Sequence, residues 1–406
     1  MSHGPRRDRD SSPLSRAAVR GHIRSVSSEL SARILTRIDE VDPGAWDALV
    51  PAGHPFLSHR FLHALEASGC AVEETGWAPR HIWLSEGGTP VGAAPLYAKT
   101  HSQGEYVFDH SWADAMYRAG GEYYPKLQCS VPFTPATGPR LLAATPAHRT
   151  ALLSAMVQAT YEWGMSSAHL TFLQEDGREA CEEAGLLIRE DRQFHFLDRG
   201  YSDFDGFLAS LASRKRKNIR KERAAAQGAA RLLRLSGDDL TPHHWEVFYR
   251  CYMDTGARKW GRPYLNREFF ARIHETMADD ILLVMAEVDG DLVAGALNFI
   301  GGDTLYGRNW GALAHVPFLH FEVCYYQAIE AALERGLSRV EAGAQGEHKL
   351  ARGYEPVVTT SAHYLAHPGL RAAVGDYLER ERLAVEHEVD ILSAHTPFRK
   401  DPNKGG

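Results

Sequence analysis

ILLVMAEVDGDLVAGAL, residues 281–297, is the stretch whose reading decides the fold. From Ile281 to Val288 every residue is apolar except Glu287. That length suits a buried strand and falls far short of the roughly 18–20 apolar residues that cross a bilayer. Asp289-Gly290 follows, a pair that accepts positive φ and closes tight hairpins. Leu292-Val293-Ala294-Gly295-Ala296-Leu297 then reads as the return strand.

The same plan occurs earlier in the chain. HIWLSEGGTPVGAAPL, residues 81–96, holds a strand over His81–Glu86, a Gly87-Gly88 turn and a return strand with small residues after the turn. Each hairpin is followed by an amphipathic helix ending near glycine: about Ala147–Trp163 before Gly164, and about Phe318–Arg335 before Gly336. A further strand comes next, Ala168–Leu173 in one half and Val340–Ala342 in the other. Strand, turn, strand, helix, strand, twice over, predicts an α/β (α+β) chain with two mixed sheets and flanking helices. The hairpins lie further apart along the chain than the helix ends do. The first half therefore carries extra residues, expected within His101–Pro139, a stretch rich in Tyr, Phe and Trp. It reads either as one wall of a cleft between the halves or as a surface elaboration.

A chain of 406 residues is long for one core and comfortable for two. Residues 1–33 are rich in Arg and Ser, lack a secretory apolar run and are expected to be a disordered leader. The first lobe is expected over 34–200, with its insertion near 101–139. The second is expected over 201–395, with a basic helix at 214–233 and a C-terminal helix from about Leu370 to Leu392, and 396–406 forms a tail. Ala209 to Leu233 is expected to be mostly helical. Five widely spaced cysteines without C-x-x-C indicate buried reduced thiols and a cytoplasmic protein. Heavy use of Ala, Arg and Gly fits a bacterium with a GC-rich genome. A net charge of −7 argues against wholesale nucleic-acid binding but leaves room for a local basic patch.

That patch is RKRKNIRKER, residues 214–223, with seven cations in ten residues. Ser213 is placed to cap its helix. Arg216, Arg220 and Arg223 fall on one stripe, flanked by Lys217 and Lys221. Arg216, Lys217 and Arg220 are candidates for phosphate contact; the other reading is a solvated helix face. No aromatic residues interleave, so base stacking is not expected.

Four stretches carry a resemblance. HPFLSHRFLHALEASG (54–69), EYVFDHSWADAMYRAGGEYYPKLQCSVPFTPATGPRLL (105–142), RKRKNIRKER (214–223) and LHFEVCYYQAIEAALERGLSRVEAGAQGEHKLARGYEP (319–356) resemble the FemAB-like predicted N-acyltransferases of bacteria. That group is related to the Fem-type peptidoglycan aminoacyltransferases, which have two GNAT-fold lobes. The resemblance spans roughly residues 34–395 and implies two tandem GNAT-like lobes. It implies transfer of an acyl or aminoacyl group from an activated donor to an amine. The donor is acyl-CoA in GNAT enzymes proper and aminoacyl-tRNA in Fem-type enzymes. It acts as a co-substrate, with no tightly bound cofactor. The implied partners are a small-molecule or peptidyl amine, such as a cell-wall precursor, and tRNA, without stable membrane insertion. Arg308-Asn309-Trp310-Gly311-Ala312-Leu313 begins the GNAT phosphate-cradling pattern [QR]-x-x-G-x-[GA] but puts Leu313 at the last small position. No long heptad segment matches the Fem-type coiled-coil arm.

Acyl transfer to an amine needs a neutral nucleophile, a stabilised oxyanion and a proton relay. Glu341-Ala342-Gly343-Ala344-Gln345-Gly346-Glu347-His348-Lys349 reads as a strand end entering a Gly-rich loop. Glu341, Glu347 and His348 are candidate proton acceptors there, and Lys349 a candidate anion contact. His320, beside Glu322 at a helix start, is a further candidate base, since a helix N-terminus favours neutral imidazole. Asp109 and Asp114 are candidates to hold a substrate amine, and Lys126, Tyr306 and Arg308 candidate substrate contacts. No H-E-x-x-H, G-x-S-x-G or P-loop occurs, and no metal is expected. The competing readings are a non-catalytic RNA- or phospholipid-binding protein on a decayed acyltransferase fold, and an acyltransferase for a natural product or modified peptide outside the cell wall.

Overall fold

A computed structural model describes residues 22–24, 30–259, 263–343 and 346–399. The first half runs through β1 (His22–Arg24), β2 (Leu30–Leu35), β3 (Trp77–Pro79), β4 (His81–Glu86), β5 (Thr89–Ala94), β6 (Leu96–Lys99), β7 (Lys126–Cys129), β8 (Leu142–Ala143), β9 (Ser167–Leu173) and β10 (Leu187–Leu197). The second runs through β11 (Arg231–Leu235), β12 (Ile281–Val288), β13 (Asp291–Gly301), β14 (Thr304–Ala312), β15 (Arg339–Glu341) and β16 (Glu355–Leu365). Both hairpins form as the sequence indicates. Asp289 and Gly290 have φ of 52° and 89°, and Gly87 and Gly88 have 55° and 85°, the two positive values that a tight turn matching strand twist requires.

The halves repeat one topology. β12, β13 and β14 are successive antiparallel neighbours, and β14 then pairs in parallel with β15. In the first half β6 and β7 are antiparallel and β7 pairs in parallel with β9. A helix makes each parallel crossover. Pro146–Glu162 is capped by the Thr145 side chain and followed by Gly164 at positive φ. Its counterpart is Leu319–Phe321, a π turn at Glu322–Tyr326 and Gln327–Glu334, run together as one element.

The two expected sheets are not separate. Each half lends its last long strand to the other: β10 lies between β15 and β16, and β16 between β10 and β9. The outcome is one 11-stranded sheet in the order β11-β12-β13-β14-β15-β10-β16-β9-β7-β6-β3. β1, β2, β4, β5 and β8 form a smaller five-stranded sheet, and the chain passes from one sheet to the other at Pro95, between β5 and β6.

One apolar cluster joins the halves on one face of the large sheet. Phe56 meets Phe299 and Tyr306 at ring distances of 5.1 Å each, and Phe61 meets Phe269 at 5.8 Å. Burying each such ring contributes about 1.5–3 kcal/mol. On the opposite face Leu305 and Val340 pack under Leu319, Val323 and Tyr326.

Two local expectations are corrected. The helix over Ser213–Ala229 begins after Ala212, so Ser213 is its first residue and not its cap. The segment after it is strand β11 and not helix. Arg-Leu-Leu-Arg-Leu fits either period over so short a run, and pairing with β12 decides it. Among the described residues, no helix is long and apolar enough to cross a membrane.

Candidate functional site

The central feature is the shortness of β15. It has three residues, between the nine of β14 and the eleven of β10. Pairing ends at Glu341, which faces Tyr306 of β14 on one side and His195 of β10 on the other. Past that point β14 continues through Gly307–Ala312 and β10 through Phe194–Leu187 with no β15 residue between them. A slot therefore opens through the sheet with Glu341 at its base. A bulge sharpens it. The β13–β14 register jumps from Leu297–Asn309 to Asn298–Gly307, leaving Arg308 as the extra residue. Tyr306 thus stays on the face of Phe299 while Trp310 turns to the other, opposite Ala296.

Glu341 is 4% exposed, and its Oε2 has no hydrogen-bond partner among the described residues. Burial pushes its carboxyl up to about 7, against the opposing pull of Arg339, Arg308 and Arg140. Its neighbours are arranged around it by both halves. Arg308 donates to the Phe133 carbonyl, and Arg339 Nη1 lies 4.0 Å from Glu341 Oε1. Fully buried Arg140 donates to the carbonyls of Thr171 at 2.8 Å and Ala136 at 2.7 Å. His195 and His54 are held neutral: burial lowers them to about 3 and about 4. Burial raises Tyr306 to about 12. Of these groups, Glu341 is the one poised to exchange a proton near neutral pH.

The first half has no such opening. There the chain after β7 loops back, Gly138 bridges to Leu173, and the Arg140 guanidinium and backbone occupy the space beside β9. Gly138 is required: a Cβ there would sit 2.1 Å from His54 Nε2.

The sequence candidates fall into separate places. Glu341, Tyr306 and Arg308 are brought together on one face. His320 and His348 gather at the start of the helix on the other, with rings 6.0 Å apart. Trp310 lies 5.2 Å from His320, and Tyr325 shares a hydrogen bond of 2.9 Å with His348 Nε2. Lys349 follows His348 in the chain and turns back toward the segment after Glu341. It is buried and donates to the Gly343 carbonyl at 2.8 Å, and burial lowers it to about 8. The Glu347 side chain lies outside the described residues.

Asp109 and Lys126, expected to hold substrate, hold each other instead. Lys126 Nζ reaches Asp109 at 2.5 Å, Glu105 at 2.7 Å and Ser102 at 2.8 Å, all buried. Asp109 also accepts from the Tyr123 hydroxyl, in a network that includes His169 and His363. The two carboxylates compensate the lysine ammonium inside the core, while Asp109 Oδ1 and Glu105 Oε1 have no hydrogen-bond partner among the described residues. Asp114 is exposed on the helix His110–Arg118, away from this network. On the basic helix, Lys217 is exposed, Arg216 half-buried, and Arg220 lies 3.3 Å from Asp205. Arg223 leaves the expected stripe. It stacks on Phe204 and pairs with buried Glu322 at 3.1 Å and Glu330 at 2.8 Å.

Sequence reading missed Arg140, His195 and Tyr325. The alternation Gln193-Phe194-His195-Phe196 places His195 on the opposite face from two core phenylalanines, a signal that was available. Arg140 carried no comparable signal.

The duplicated topology and the slot beside a short parallel strand define a tandem GNAT-fold protein. A family model described as FemAB-like, peptidoglycan biosynthesis/recognition, matches residues 37–400, and the chain belongs to that family. Among solved structures, FemX is similar at 13% identity with a TM-score of 0.52, over 82% of this chain and 98% of that one. The C-terminal domain of a putative lysylphosphatidylglycerol synthetase from Agrobacterium fabrum is similar at 11% identity with a TM-score of 0.52, over 84% and 96%. These likenesses concern the fold. No curated protein matches the sequence.

Proposed function

We propose that this protein is an N-acyltransferase whose chemistry takes place at the second-half slot, with Glu341 as general base. The carrying observation is a buried carboxylate with one oxygen unpartnered among the described residues and an affinity for protons near neutrality, placed where the sheet opens. In this reading the acceptor amine gives a proton to Glu341 and attacks the donor carbonyl. The C–N bond forms, the donor's thioester or ester bond breaks, and the leaving thiolate or alkoxide takes a proton, with His348 or His320 as the candidate donor. Arg308 and Lys349 are positioned to hold anionic parts of either substrate. Arg216, Lys217 and Arg220 are the candidate contacts for donor phosphates. Arg214, Lys215, Arg216, Lys217 and Lys221 have no acidic partner within ion-pair distance among the described residues, and Arg220 pairs with exposed Asp205, which supports a polyanionic donor. The reading extends to acyl-CoA or aminoacyl-tRNA as donor, to a cell-wall precursor amine as acceptor, and to the bacterial cytoplasm as the place of action.

The test pairs binding with transfer. Acyl-CoAs and charged tRNAs are offered to the purified protein and the melting temperature is followed. The stabilising donor is then used in a transfer assay with wild type and Glu341→Gln. The variant is expected to keep the melting shift and to lose transfer by about 10²–10⁴-fold. Wild-type transfer by Glu341→Gln would remove Glu341 from the mechanism. Absence of a shift with every donor would favour a non-catalytic anion-binding protein.

A further inference from the structure

A second cavity of about 280 Å³ lies beside the slot, and nothing in the reaction described so far uses it. Its floor is β10, on the side where β15 has ended. Asp191, Gln193 and His195 alternate onto one face of that strand. His195 is the register partner of Glu341, and its Nε2 lies 3.3 Å from Gln193 Oε1. The cavity's inner end at Gln193 is thus two strand residues, about 7 Å, from the row that holds the carboxylate. Its outer end opens past Asp191 and Phe108, both exposed.

The first-half insertion supplies one wall through Tyr106, Val107 and Phe108, and β9 supplies Phe172. Tyr106 and Phe172 both border the cavity, and both hold left-handed backbone, with φ of 60° and 57°. That conformation is unfavourable for large aromatic residues and gathers at ligand sites, where the surrounding structure enforces it. At the inner end the polar group is the neutral amide of Gln193, which is 1% exposed. At the mouth it is the Asp191 carboxylate. Arg192, which also borders the cavity, is engaged by Glu388.

We infer that this cavity is the acceptor subsite and takes a primary amine on a slim apolar or aromatic stem, amine end inward. The inference rests on the transfer reading above. The volume is at the small end of ligand pockets, so it fits one side-chain-sized arm of an acceptor and not a lipid tail or a nucleotide. Asp191 and the ring faces attract an ammonium at the mouth. Further in, apolar walls disfavour the charge and leave the neutral amine that attack requires. A carboxylate-ended arm would meet the Asp191 carboxylate at the mouth first, where Arg192 is already engaged by Glu388 and lies 4.0 Å from Asp191.

The test uses n-hexylamine and phenethylamine as probes, with hexanoate as the control, and calorimetry of the full chain. Wild type is expected to bind both amines and not hexanoate. Val107→Trp, which fills the cavity, is expected to weaken amine binding at least tenfold. Phe108→Ala, at the exposed mouth, where the ring stacks only on His110 among the described residues, is expected to weaken it about threefold and keeps the test valid if the first variant misfolds. Equal amine binding by wild type and both variants, or hexanoate binding as tight as amine binding, would overturn the assignment. Donor-induced melting shifts are measured on the same samples. Donor binding without amine binding in wild type would sink the subsite and leave the transfer reading standing. No donor binding at all would sink that reading, whatever the amines do.

Discussion

Glu341 shows how one buried carboxyl makes stability depend on pH. Its carboxyl is raised from 4.5 to about 7 in the folded chain, so the native state binds a proton more tightly than the unfolded state. The stabilising effect of the protonated form is complete below the unfolded value and fades as pH rises through about 7. Above that, the native state holds a charge it solvates poorly. Glu341→Gln removes the charge while keeping the shape. The variant is therefore expected to be more stable than wild type at pH 8, by roughly 3 kcal/mol. The difference should vanish near pH 4, as measured by urea denaturation at both pH values. Equal stability at pH 8 would mean the carboxylate is better solvated than its surroundings imply. The candidacy of Glu341 was legible, because a strand running into Gly343 and Gly346 marks a place where backbone and ligand can approach. Its bare oxygen was not legible, since that depends on Arg140 and Arg308 being occupied by carbonyls far away in sequence. The pairing of Asp109 with Lys126 was hidden in the same way: charge is visible in a sequence, but its partner is not.

At the scale of an element, the basic helix and the π turn form one unit. Ile219 and Ala226 bury one face of Ser213–Ala229, and Arg223 extends that face by pairing with Glu322 of the turn. Glu322 also accepts from Gln227 at 2.9 Å and from Gln327 at 2.8 Å, so its charge is well compensated although fully buried. Arg223→Met alone strands that carboxylate and is expected to cost about 3–5 kcal/mol in denaturant unfolding. Arg223→Met combined with Glu322→Met removes both charges and should cost clearly less than the sum of the single changes. Additive costs would show that the pair is not coupled. Helix existence here was readable from spacing. The direction of Arg223 was not, because an arginine at a stripe position serves solvent, phosphate or core equally well by pattern alone.

Across the whole molecule, the hairpins, crossover helices and their order were legible because each is a local matter of period and turn chemistry. Which strand lies next to which is a long-range choice, and there the expectation of two sheets gave way to one. β10 completes the second half and β16 the first, and the core around Phe56, Phe61 and Phe299 spans both. The chain is expected to unfold in one cooperative calorimetric transition despite its length. Residues 30–200 and 201–399 expressed separately should each lack a native near-UV spectrum and regain it on mixing. Two resolved transitions, or a folded isolated half, would contradict this interlocking.

The traded strands also constrain how anything reaches Glu341. A pair of jaws would have to tear the hydrogen bonds of β10 and β16 at the middle of the sheet in order to part. The two repeats therefore stay a fixed frame, and under the proposed reaction a substrate reaches the buried carboxylate past its rims, by movements of side chains and short connecting segments alone.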